Sequence, residues 1–435
     1  MGVAAAFLAV VEFALPAYPA TASPVPRVGQ VPFEQAIAGL SSPEPSDRLR
    51  AVTLLKAAAY PEAAVPLAKA VLDSVDAIQL EAIAAELNIF LAEKIVPKKR
   101  VGLVVEVRTK IAAEAAFSAG PLALGAVPVP VEVLTTLRTA ARDDNPRVGL
   151  EALYAFGALA SEPTGSERRK LREASGPELA AMVGSSDEAL RAAAVRVMGR
   201  VFDADASDDE VEPSVGDAVI TALNDQNRLI KRAAMDTLGV MRYARGVEAL
   251  TQLFQFYKQG ELAEAAFDAL ARIAQPASVP LFTSQLASKL PALRAMAIEG
   301  LARTGDPSQM MVIEAALAGE HNERVLFAVT FASAMLSPSG SIDRLTDSLL
   351  RPSLRNAAKQ YLADVARGRA AQLARYAQDP DPGVRADIAD VLGFSNDVAA
   401  QPIVASLIKD QDKQVALAAE RAAQRLRGAD PAGVR

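Results

Sequence analysis

Along most of this chain apolar residues recur at i, i+4, i+7 and i+8, the period of a helix buried on one face. Residues 378–397, QDPDPGVRADIADVLGFSND, contain the whole unit. Val384, Ile388, Val391 and Leu392 share one face, and Asp379 and Asp381 can cap its start. Pro382 suits a first helical turn, and Gly393 stands where a helix is expected to stop. With the opening apolar residue as position zero, the unit recurs at Val148, Leu190, Ile230, Leu262, Leu293, Val325, Leu354, Val384 and Val415. Leu49 and Ile78 open two degenerate earlier copies. From Ile230 onward the spacing is about 30 residues, a repeat-protein period.

Within the copies, position +1 is often basic, as at Arg50, Arg191, Lys231, Arg294, Arg355 and Arg385. Position +4 is small or aliphatic: Ala152, Ala194, Ala234, Ala266, Ala297, Ala358, Ile388 and Ala419. Positions +8 and +9 often read large-then-Gly, as in Phe156-Gly157, Met198-Gly199, Leu238-Gly239 and Leu392-Gly393. Alanine at +4 admits a neighbouring helix, the large residue fills the space beside it, and glycine is expected to end the helix. Second helices are predicted between these, at Val247–Tyr257, 278–288, 308–317 and 398–409. Pro66, Pro280 and Pro402 fall early in such segments, in a first turn or at a kink. Two short helices per repeat cannot bury their apolar faces alone. The pattern therefore predicts an all-α fold, an α-solenoid of stacked antiparallel helix pairs.

This pattern resembles the HEAT repeat, in the bacterial HEAT-like form also found in proteins of the phycobilisome-lyase type, over residues 41–428. The resemblance implies one right-handed superhelix of about eleven repeats, with the second helix of each pair lining the concave face. It also implies an internal ladder in which Arg191, Arg294, Arg355 and Arg385 pair with acidic turn residues such as Asp187, Asp225 and Asp381. The function it implies is a non-catalytic protein-binding scaffold or adaptor of an exported bacterial assembly. A lyase-like or chaperone-like helper in cofactor or chromophore attachment is the alternative.

Residues 1–22 read as a signal peptide, with an apolar run from Val3 to Leu15 and the small-x-small site Ala20-Thr21-Ala22. No Lys or Arg precedes the run and Glu12 interrupts it, so an Ala-rich first helix is the other reading. Export implies a periplasmic or secreted protein; the alternative is cytoplasmic. Residues 23–40 read as a linker, since Pro24, Pro26 and Pro32 resist helix. The array is irregular at 96–130, which carries Lys98-Lys99-Arg100, and at 162–177, a polar loop before a short helix. A third irregular stretch, 203–216, is rich in acids, and 429–435 reads as a disordered tail.

Composition narrows the chemistry. Apolar residues make up 51% of the 435 but aromatics 5%, with no Trp, which suits close-packed helices. A net charge of −6 with interspersed signs supplies no field for a nucleic-acid backbone. Absence of Cys removes thiol nucleophiles, zinc–thiolate sites and disulfides. The single histidine, His321, cannot make a two-His metal site, and one Glu320-His321 does not match the paired His-Glu of HEAT-like deoxyhypusine hydroxylases. Asp208 and Ser214 stand where a calcium loop starting at Asp203 needs Gly and Glu. No P-loop or nucleophile elbow occurs, so no cofactor, metal or catalytic residue is assigned.

The candidate partner surface is the +6 row, which helical geometry points away from the core. It places Asp236, Asp268 and Glu299 in line, followed by Phe331, Gln360 and Asp390. A basic segment of a protein partner would bind the carboxylates, with Phe331 as apolar anchor. Phe256 and Tyr257 read as aromatics buried between repeats.

Overall fold

The computed structural model describes residues 33–92, 112–161, 165–204, 210–337 and 340–427. The signal-peptide segment, Lys98–Arg100, Asp205, Asp208 and Asp209, and the tail 429–435 lie outside the described residues.

Among the described residues the fold is helical throughout, with one isolated bridge between Leu91 and Leu124. Helices alternate between two rows. One row contains the units that open at position zero: Pro146–Leu159, Glu188–Val201, Arg228–Val240, Glu261–Ile273, Pro291–Arg303, Glu323–Leu336, Arg355–Val365, Pro382–Phe394 and Lys413–Arg427. Each packs on the next member of its row, and the shorter second helices cover the outside. The chain is an all-α solenoid of stacked helix pairs.

Each unit has a local cause. Asp381 accepts a hydrogen bond from Gly383 N at 2.7 Å, and Asn145, Asp187, Asn227 and Asn322 cap their helices in the same way. Pro280 and Pro402 lie in first turns, where the missing N–H costs nothing. The alanines at +4 are all fully buried. Glycine at +9 has a role the pattern did not predict. Pro382–Phe394 runs through Gly393, and a Cβ there would stand 2.8 Å from the Ala422 backbone of the next helix. Gly239 meets Ala269 at 2.9 Å in the same manner. These glycines let consecutive helices of the row touch; they do not end them.

The position-zero row lines the inner side of the curve, where Arg242 and Arg303 reach Asp364 and Tyr361 reaches Glu299 across non-adjacent units, whereas the resemblance placed the second helix of each pair there. Strong curvature then brings distant parts together: Arg425 Nη2 donates to Pro121 O at 3.0 Å across 304 residues.

Three boundaries move. Phe33–Gly39 is a helix packed on Pro45–Ala58, so the linker does not extend to residue 40. The polar segment after residue 164 is not a loop but most of the helix Gly165–Val183, with Pro177 inside it. The first repeat is framed two residues earlier than Leu49, because Arg48 and not Arg50 makes the +1 contact described next.

Four arginines make one repeated bridge. Arg48, Arg191, Arg294 and Arg385 donate through Nε to Asp73, Asp225, Glu320 and Asp410 at 2.7–2.8 Å. Each also donates through Nη1 to the carbonyl six residues upstream, at Ser42, Ser185, Ser288 and Asp379. The acid belongs to the loop that opens the next repeat, so each arginine ties two loops together. Gln79 does the same to Asp143 at 2.9 Å. Asp187 and Asp381 are caps and not ladder acids. Arg355 departs from the ladder, reaching Asp387 on the next helix of the row at 2.6 Å.

The arginine hydrogen bond holds the carboxyls of Asp73, Asp225, Glu320 and Asp410 below their ordinary values. A depressed folded-state pKa contributes stability above the unfolded value that is lost as pH falls through the folded one. Arg385→Ala is therefore expected to cost about 1 kcal/mol at pH 7. Most of that difference should vanish as pH falls from the ordinary carboxylate range through the depressed folded value of Asp410, as urea titrations of variant and parent across the acid range would reveal.

Candidate partner-binding face

The +6 row is not a uniform exposed stripe. Asp236 is open, with its side chain 52% exposed, and Arg232 lies 3.8 Å away one turn earlier. Asp268 is partly covered and accepts from Arg272 Nε at 2.8 Å. Burial among the concave helices raises the Asp236 carboxyl above its ordinary value, Arg232 opposes this, and the nearby charge of Asp268 adds to it. Solvent reaches Asp236, yet protein surrounds it on the concave side.

Glu299, Phe331 and Asp390 are withdrawn from solvent. Phe331 is 0% exposed and cannot anchor a partner. Its ring stacks on Tyr361 at 4.4 Å between centroids, and the Arg303 guanidinium lies 5.0 Å from its centre. Glu299 accepts from the Tyr361 hydroxyl at 2.6 Å and pairs with Arg303 at 3.4 Å. Arg303 also reaches Asp364 at 2.9 Å. Burial works against the Arg303 charge, but Asp364 and Glu299 outweigh it and its pKa rises. Burial, then Glu299, drives the Tyr361 hydroxyl far above its ordinary value.

Asp390 is also buried, held by Arg421 at 3.3 Å and Lys359 at 3.7 Å, with burial pushing its carboxyl up. Gln360 is exposed and faces a cavity of about 650 Å³ at the centre of the curve. Pro121, Asp203, Arg242, Lys359, Asp364 and Phe394 contribute to its walls, so the concave face is partly closed by its own curvature. Arg242 stands 3.7 Å from Asp364 across this space. Phe256 is 75% exposed, against the expectation of a buried aromatic; Leu250 and Phe254 supply the core face of that helix.

A second arginine role escaped the sequence pattern. Arg168 donates to the carbonyls of Arg200 and Val201, and Arg369 to those of Ala334 and Ser337. Arg200 donates to Phe117 O at 3.4 Å. Each serves the free carbonyls and the negative dipole end of a helix C-terminus. Burial and the charges of Arg172, Arg200 and Arg425 lower Arg168 to about 10, with Asp203 opposing. Spacing does not mark these arginines: Glu167 adjoins Arg168 and Asp203 follows Arg200, and neither points to a carbonyl partner.

His321 sits in the loop before Glu323–Leu336, its backbone N–H donating to Glu320 Oε1 at 3.0 Å. Among the described residues no group of three or more acids or histidines is placed to hold a metal ion. No helix among them is long and apolar enough to cross a membrane.

Comparison with protein-family models and with curated proteins finds no match. Among solved structures, an engineered protein from a structural genomics programme is 18% identical with a TM-score of 0.44, over 92% of this chain and 99% of that one. A designed armadillo repeat protein in complex with the peptide (KR)4 is 19% identical with a TM-score of 0.39, over 56% of this chain and 100% of that one. A chain from a structure of Kap95p binding to RanGDP is 16% identical with a TM-score of 0.35, over 89% of this chain and 49% of that one. The solenoid architecture rests on the helix packing described above and not on these scores.

Proposed function

We propose that this chain is a non-catalytic scaffold that binds a basic segment of a partner protein on its concave face, at Asp236 and Asp268. The observation that carries the reading is this pair of carboxylates on successive helices of one row, Asp236 52% and Asp268 28% exposed, while the rest of the row's acids are largely buried. A lysine or arginine side chain placed between them relieves the repulsion between their charges, and the partly screened concave setting strengthens the attraction. Arg232 and Arg272 flank the pair and keep the face from attracting every cation alike.

The test is fluorescence anisotropy of a labelled Lys/Arg-rich peptide with the full-length chain. Asp236→Lys with Asp268→Lys is expected to weaken binding about tenfold or more and to flatten its salt dependence. The helical circular-dichroism signal should not change. Equal affinity for parent and double variant would sink the proposal. For the alternative, a helper in chromophore attachment, the central cavity offers Phe394 as its one aromatic wall, and no specific observation favours that reading.

A further inference from the structure

The last helix, Lys413–Arg427, packs closely on its own row but less closely on the earlier helices that it meets across the curve. Against Pro382–Phe394 the fit leaves no room for a Cβ on Gly393. Toward Val131–Ala140 and Gly165–Val183 it borders a cavity of about 780 Å³. Cavities of roughly 300–1,000 Å³ are the size that holds small molecules.

Pro128, Val131 and Leu171 make an accessible apolar wall, with Val129 and Leu134 buried behind it. Val131 is 59% exposed, so that wall is open at its mouth. Cations stand on both banks. Lys170 belongs to Gly165–Val183, and its ion pair with Glu167 is exposed at 3.1 Å and therefore weak. Arg427, exposed at the end of the last helix, stands on the opposite bank. Arg138 also lines the cavity but is engaged by Glu178 at 3.1 Å.

The geometry points to a binding site for a monomeric amphiphile: an apolar chain ending in an anionic head such as a carboxylate. The chain lies along Pro128, Val131 and Leu171, and the head is held between Lys170 and Arg427. A purely polar ligand would leave the apolar wall wet, and an uncharged chain would forgo both cations. The two banks come from parts of the array far apart in the chain, so the site exists only while the last helix stays beside residues 121–138. It is separate from Asp236 and Asp268 and does not depend on the scaffold proposal.

Displacement of dansyl-undecanoate from the full-length chain tests the site. Laurate below its micellar concentration is expected to displace the probe, and dodecanol about tenfold less effectively. Lys170→Glu and Arg427→Glu should each weaken laurate by about three- to tenfold, one charge from either bank. Val131→Asp, at an exposed position that leaves folding intact, should abolish displacement. The proposal is overturned if laurate fails to displace the probe or does so no better than dodecanol. Indifference to both charge reversals, or binding confined to anionic vesicles, overturns it equally.

Discussion

Replacing Arg303 with Met is expected to destabilise the chain by about 3–5 kcal/mol, the cost of stranding buried charges. The guanidinium holds Glu299 at 3.4 Å and Asp364 at 2.9 Å, and its face covers Phe331. All three polar side chains are largely withdrawn from water, so removing the cation leaves Glu299 with the Tyr361 hydroxyl and Asp364 with Arg242 at 3.7 Å in a poorly solvated setting. Methionine keeps much of the hydrophobic stem and isolates the electrostatic part of the loss. Urea denaturation followed by circular dichroism would measure the change. Adding Glu299→Gln and Asp364→Asn should recover most of it, because neutral partners no longer require the cation. A loss under about 1 kcal/mol in the single variant would show that water reaches the cluster.

Glu86→Leu is expected to act in the opposite sense, stabilising by about 1–3 kcal/mol near neutral pH. Glu86 stands at +8 of the unit that opens at Ile78, the position held by Phe156, Met198, Leu238 and Leu392 in other copies. It is 0% exposed, and neither carboxyl oxygen has a hydrogen-bond partner. Burial alone raises its carboxyl well above the ordinary 4.5. Such a group contributes nothing adverse below its unfolded pKa; stability then falls as pH rises from there toward the folded value. The parent should therefore lose stability between pH 4.5 and neutrality through this residue, and Glu86→Leu should lose less. Thermal unfolding of both chains across that range separates the cases; parallel curves would mean that Glu86 finds a partner in solution. Nothing in the structure explains why a carboxyl occupies this core position.

The two residues differ in how far the sequence could reveal them. Glu86 breaks a visible pattern, since a carboxyl at +8 interrupts a run of large apolar residues, though the degenerate frame of the early repeats hides it. Arg303 breaks nothing, because an arginine ten residues after position zero is an ordinary helix surface residue by spacing alone. Its acid at i−4 is visible, but Asp364 is 61 residues away and only curvature brings it near. The candidate stripe failed for the same reason. Helical geometry correctly turned Asp236, Asp268, Glu299 and Phe331 away from the core of their own repeat. It could not show that Arg303 and Tyr361 of the neighbouring helices cover Phe331 and Glu299 and leave Asp236 open.

Local periodicity by itself determined the helices, their caps, the alanine seam at +4 and the stacking of pairs into an all-α solenoid. Each of these depends on residues within one repeat or its neighbour, where spacing along the chain is distance in space. The arginine ladder was implied by the resemblance and not by periodicity; Arg191, Arg294 and Arg385 take part in it, while Arg355, the first-copy frame and the acids Asp187 and Asp381 depart from it. Tertiary structure decided the rest: which row is concave, what glycine at +9 is for, which acids stay exposed, and the meeting of Arg425 with Pro121. Those features follow from the small rotation between successive repeats, summed over the array. That sum is set by packing at every interface together, and no single stretch of sequence encodes it.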